Sequence, residues 1–129
     1  MRIPLRNLFI VFLFINTAVQ AQDSRISISS GNLIADASRF SGSHFEMIQN
    51  SPNPFSAITD IAFYMPSQGF IEFKVVNLIG KEMVRQVMEV DPGRNSLRFD
   101  GSDFLPGVYV YSLSNGSQTL TRRMIISKK

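Results

Sequence analysis

The sequence contains no cysteine, so a disulfide framework, a thiol nucleophile and a thiolate metal centre are all excluded. It also lacks tryptophan and carries a single histidine, His44, which leaves little for acid–base chemistry near neutral pH. Charged residues make up only 18% of the chain, and 44% are apolar, the balance of an ordinary globular domain. No apolar run approaches the roughly 20 residues that a membrane-spanning helix needs. The longest, Leu8–Ile15, follows Arg2 and Arg6 and gives way to Asn16, Thr17 and then Ala18-Val19-Gln20-Ala21. This order of basic, apolar and small residues is that of a secretory signal peptide cut after Ala21. Its loss would remove two arginines and reduce the formal charge from +3 to a near-balance, with no electrostatic footprint for nucleic acid. The chain therefore reads as exported through the inner membrane, with no transmembrane helix in its mature part.

Strand signals dominate what is present. The strongest is Leu105–Leu113, opened by Pro106-Gly107 and closed by Asn115-Gly116. Tyr109, Tyr111 and Leu113 share one face, and Val108, Val110 and Ser112 the other. A strand apolar on both faces belongs inside a sheet rather than at its edge. Asn115-Gly116 has the chemistry of a type I′ turn into a last strand, Gln118–Ser127. There, Arg122 shares the parity of Leu120, Met124 and Ile126, placing its stem along the rim with the charge in water. Upstream, Thr59–Met65, Phe70–Asn77 and Arg94–Asp100 alternate with turn residues between them, and Gly80 forms a tight corner. Glu82–Val90 alternates poorly, as expected of a bulge or of a strand that changes sheets.

This pattern, with no helical periodicity after the signal peptide, predicts an all-β fold. It is a small immunoglobulin-like antiparallel β-sandwich of about seven strands. The predicted core is Ile61, Phe63, Ile71, Phe73, Val75, Leu97, Phe99, Tyr109 and Leu113, and Tyr109 sits where such folds place a corner tyrosine. Ser51-Pro52-Asn53-Pro54-Phe55 marks a boundary, because two prolines remove donors and extend the residues before them. The organisation is then a signal peptide over 1–21, a Ser/Gly-rich leader over 22–49 and a domain over 50–129. The leader is too short for its own core and reads as a loosely ordered spacer with one strand.

The polar residues offer no catalytic, cofactor or metal site. His44 has only Glu46 nearby, in a segment with no sign of the rigidity a catalytic base requires. Asp100-Gly101-Ser102-Asp103 lacks the acid spacing of a calcium loop and is explained as a turn. Asn115-Gly116-Ser117 fits a glycosylation acceptor, but the turn accounts for it. Arg122, Arg123, Lys128 and Lys129 are the one concentration of charge. They serve either to protect an edge strand or to contact a partner.

Taken in order, these segments resemble the type A C-terminal sorting domain of the type IX (Por) secretion system of Bacteroidota. Pro52-Asn53-Pro54-Phe55 is similar to its opening motif, and Ile61-Ala62-Phe63 with Met65-Pro66 to its first strand. Val75–Lys81 resembles a V-x-D-x-x-G-K/R segment, with Asn77 where Asp is usual. Pro92-Gly93, Phe99-Asp100 and Leu105–Leu113 follow, and Arg122–Ile126 with Lys128 and Lys129 resembles the basic, apolar, basic finish. The resemblance implies a domain that acts as an address. The type IX translocon reads it, a passenger crosses the outer membrane, and a surface sortase commonly removes the domain. The passenger is then secreted or held at the cell surface, in some cases joined to anionic lipopolysaccharide. The residues implied in recognition are Pro52, Asn53, Pro54, Phe55, Gly80, Gly107, Tyr109, Arg123, Met124, Lys128 and Lys129. With only 22–49 between signal and address, the expectation is an orphan or truncated cargo. The competing reading is a free-standing surface sandwich that binds glycan or protein, which would expose an aromatic cluster.

Overall fold

The computed structural model describes residues 25–30 and 40–128. The expected signal peptide, its cleavage after Ala21, and Lys129 lie outside the described residues. Eight strands are present: β1 (Ile26–Ser30), β2 (Glu46–Met47), β3 (Ile58–Met65), β4 (Gly69–Val76), β5 (Glu82–Val90), β6 (Gly93–Asp100), β7 (Gly107–Ser114) and β8 (Thr119–Ile126). They form two four-stranded antiparallel sheets, ordered β1-β6-β3-β2 and β5-β4-β7-β8, packed as a sandwich, and no helix occurs among the described residues. Alternation decides the faces. Ile71, Phe73 and Val75 of β4 and Leu97 and Phe99 of β6 are fully buried between the sheets, and all nine expected core residues are buried.

β7 lies inside its sheet, between β4 and β8, as its two apolar faces require. Aromatic rings join the layers. Phe99 stands 5.7 Å from Phe73, 6.3 Å from Phe55 and 5.4 Å from Phe104, whose ring lies 5.3 Å from that of Tyr109. The Tyr109 hydroxyl donates to the Leu105 carbonyl at 2.7 Å, the bond of a corner tyrosine.

One local reading is decided and two change. β5 stays in one sheet and is bulged: Val75 pairs with Val84 but Val76 with Glu82, so Met83 is the extra residue, and Met83 and Val87 blur the alternation by being apolar yet exposed. The turn after β7 is not type I′, which requires positive φ at both central residues. Gly116 has φ +91°, but no described non-glycine residue has positive φ. Instead the Asn115 side-chain oxygen accepts from the amides of Ser117 and Gln118 at 3.0 and 2.8 Å. Finally, the leader supplies two strands rather than one. β1 pairs with β6 from Ile26↔Phe99 to Ser30↔Asn95, and β2 pairs with β3. Two-residue β2 is too short to leave a period, yet Phe45 and Met47 are buried beside it.

Candidate recognition surface along the C-terminal strand

β8 is the edge of its sheet, and an edge exposes unpaired amides and carbonyls. Here a segment far away in sequence occupies them. Gln49 Nε2 donates to the Arg123 carbonyl at 2.6 Å, and the Ile125 amide donates to Asn53 Oδ1 at 2.9 Å. The Phe55 amide donates to the Ile125 carbonyl at 3.0 Å, and the Ser127 amide to the Phe55 carbonyl at 2.8 Å. Pro52 and Pro54 have no amide hydrogen, so the residues that reach β8 from this motif are Asn53, by side chain, and Phe55, by main chain. The opening motif and the basic finish thus form one structural unit.

That unit is anchored inwards. Phe55 is buried against Phe99, and Ile126 and Met124 are buried beside it in the core. Gly101 closes the same corner. A Cβ there would lie 3.0 Å from Phe55 Cε2 and 3.2 Å from Ile126 Cδ1. Asn50, also buried, donates through Nδ2 to Thr59 Oγ1 at 2.9 Å and to the Pro52 carbonyl at 3.2 Å. Its amide donates to the Tyr111 hydroxyl at 3.0 Å. Burial pushes that phenol up to about 12, against the opposing pull of the Asn50 amide and the Arg122 charge.

On the outer face, Val110 pairs with Arg123 and Val108 with Ile125. They line a groove of about 590 Å³ that Gln49, Asn53 and Arg122 border. The Arg122 head is not simply in water: Nη2 and Nε donate to the Met47 carbonyl at 3.1 and 3.4 Å, joining β8 to β2. Among the described residues, no carboxylate lies within ion-pair distance of Arg123 or Lys128, and both are exposed.

The expected recognition residues therefore separate. Pro52, Asn53, Pro54 and Arg123 are exposed along β8, and Lys128 follows it, while Phe55 and Met124 face inwards and hold the surface from beneath. Gly80, Gly107 and Tyr109 lie away from β8's outer face and shape the framework. Gly80, at φ +82°, completes a loop in which Asn77 Oδ1 accepts from the amides of Ile79 and Lys81 at 3.1 and 2.9 Å. An aspartate oxygen would serve equally, which accounts for Asn77 in a position where Asp is usual. Gly107 opens β7 beside the Tyr109 ring. Sequence reasoning missed Gln49, Asn50 and Gly101. The first two stand directly before the proline motif, but no periodicity marks them.

Elsewhere the polar groups are locally engaged. Glu46 Oε1 lies 3.1 Å from His44 Nε2, and Ser43 Oγ 3.0 Å from His44 Nδ1. The Ser41 hydroxyl and amide hold the Glu46 carboxyl below its ordinary range, with His44 adding to the effect. Asp100 Oδ1 accepts from the Ser102 amide and hydroxyl, and Asp103 lies 3.6 Å from Arg25. Among the described residues, no three of His, Asp and Glu converge on a point. No described helix is long and apolar enough to cross a membrane. Phe70 is the one aromatic among the strongly exposed large hydrophobic residues described, so the described residues form no exposed aromatic cluster.

Residues 51–127 match the family model of the secretion system C-terminal sorting domain. No curated protein and no solved structure matches the chain. The matched span begins at the proline motif and ends just past β8, so it includes Asn53, Phe55 and the β8 side of this edge clamp, though not Gln49, and more than half of the chain. The chain belongs to the family of type IX secretion C-terminal sorting domains.

Proposed function

We propose that the domain is an export address that the type IX translocon reads along β8, after entry into the periplasm behind a cleaved signal peptide. A surface sortase then acts on the exported chain, which ends as a secreted or outer-membrane surface protein. The observation that carries this reading is the split character of β8 and of the residues that directly follow it. Met124 and Ile126 supply buried apolar contacts to the fold, while Arg123 and Lys128 contribute charge that no described carboxylate neutralises. Solvated basic groups of this kind contribute at most about 0.5 kcal/mol to folding, so the same strand can carry a signal without weakening the domain.

The test is a reporter enzyme fused ahead of residues 22–129, behind a signal peptide, in a host with this secretion system. The parent fusion should reach the cell surface or medium. The same fusion with Arg123, Lys128 and Lys129 changed to Ala should accumulate in the periplasm with an unchanged melting temperature. Retention of the parent in the periplasm would end the address reading. Equal export of both would remove the basic residues from it.

A further inference from the structure

We propose that the groove beside β8 receives an extended acidic segment of a partner polypeptide, held through its side chains. The inference rests on the sorting reading above and specifies the chemistry of the partner. The floor of the groove is aliphatic, made by Val108 and Val110 of β7 and Ile125 of β8, with Ile125 42% exposed. Arg122 and Arg123 stand at its border, and no aspartate or glutamate lines it. The Met47 carbonyl holds the Arg122 guanidinium with two of its five donor hydrogens, so Arg123, on the outward parity of Ile125, is the arginine whose donors are uncommitted beside the floor. Arg123 lies across from Val110 and has no carboxylate partner among the described residues. A carboxylate is the complement of such a group, because a guanidinium fork matches it in a two-bond geometry.

The backbone narrows the mode of binding. The Arg123 carbonyl, the Ile125 amide and carbonyl and the Ser127 amide are already bonded to Gln49, Asn53 and Phe55. A partner cannot extend the sheet along this stretch without displacing them, so strand addition is closed and recognition passes to side chains. The aliphatic floor favours a polypeptide over a phosphate-rich polyanion. Alternate residues of an extended peptide can place a carboxylate on Arg123 and aliphatic groups on Val108, Val110 and Ile125, whereas a polyphosphate leaves that floor uncovered.

The experiment uses the full chain after signal removal, labelled with ¹⁵N and ¹³C-methyl groups and titrated with acetyl-Glu-Val-Glu-Val-Glu-amide. Acetyl-Lys-Val-Lys-Val-Lys-amide and tripolyphosphate serve as comparison ligands. The acidic peptide should shift the methyl signals of Val108, Val110 and Ile125 and the amide of Thr121, with a millimolar dissociation constant. Arg123→Gln should weaken that binding at least tenfold without altering the melting temperature. The lysine peptide should leave the floor unperturbed, and tripolyphosphate should not shift the floor methyls. The inference is overturned if the acidic peptide does not shift the floor, if the lysine peptide shifts it equally, or if tripolyphosphate reproduces the methyl shifts. In cells, Arg123→Glu should abolish export of the reporter fusion. Failure of the parent fusion to export would remove the sorting reading itself. Normal export of both, with no floor shifts, would remove the acidic partner alone.

Discussion

Gly101 shows how much a single hydrogen atom can decide. A methyl group there would press on Phe55 and Ile126, the two apolar members of the clamp, so Gly101→Ala should cost roughly 1–3 kcal/mol. A thermal melt checks this, and an unchanged melting temperature would show that both side chains yield freely. Tyr111 makes a different prediction, in pH. Its phenol titrates at about 12 in the fold, above the ordinary 10.0, because burial disfavours the phenolate. The folded state therefore holds its proton where the unfolded chain has lost it. The contribution is fully present below pH 10 and is lost as pH rises towards 12, by roughly 2 kcal/mol. Denaturant unfolding measured from pH 8 to 12 should show this decline, and Tyr111→Phe should flatten it.

Among the elements, those that bury one whole face were legible from sequence. β4, β6 and β7 alternate because each has a neighbour on both sides and the opposite sheet above, so every second side chain meets the core. β5 has the bounds its residues suggested, Glu82–Val90, but its alternation is blurred because this edge strand carries apolar Met83 and Val87 on its exposed face beside Arg85 and Glu89. The turn after β7 was misjudged for a different reason: with one positive-φ glycine, Gly116, the Asn115 side chain completes the reversal without a second residue of positive φ. For the candidate site, the participating motifs were visible but their meeting was not. Asn53 and Ile125 are 72 residues apart, and the bond uses a side chain on one strand's backbone, which leaves no periodic trace. Asn53→Ala should leave the Ile125 amide without this acceptor and cost about 0.5–1.5 kcal/mol. Hydrogen exchange offers the direct reading: the Ile125 amide should exchange faster while the β4 amides keep their protection.

For the whole molecule, the matched family span is not the whole sandwich. β1 and β2 precede residue 51, and with them come the buried side chains of Ile26, Phe45 and Met47. Residues 50–129 alone should therefore be less stable than 22–129 by a margin on the order of 5 kcal/mol, a large part of a small domain's total. Equal denaturation midpoints for the two fragments would show that β6 and β3 do not need those neighbours. The clamp also sets an order of events in time. Asn53 and Phe55 are made early in the domain, yet their partners at Ile125 and Ser127 follow 72 residues later. Until those residues exist, the edge cannot close and the groove beside it has no far wall. A chain released prematurely by the ribosome would present most of the strands but not this surface. If the translocon reads the closed edge as proposed, legibility of the address reports that synthesis has passed β8, and so that everything ahead of the domain has already been made.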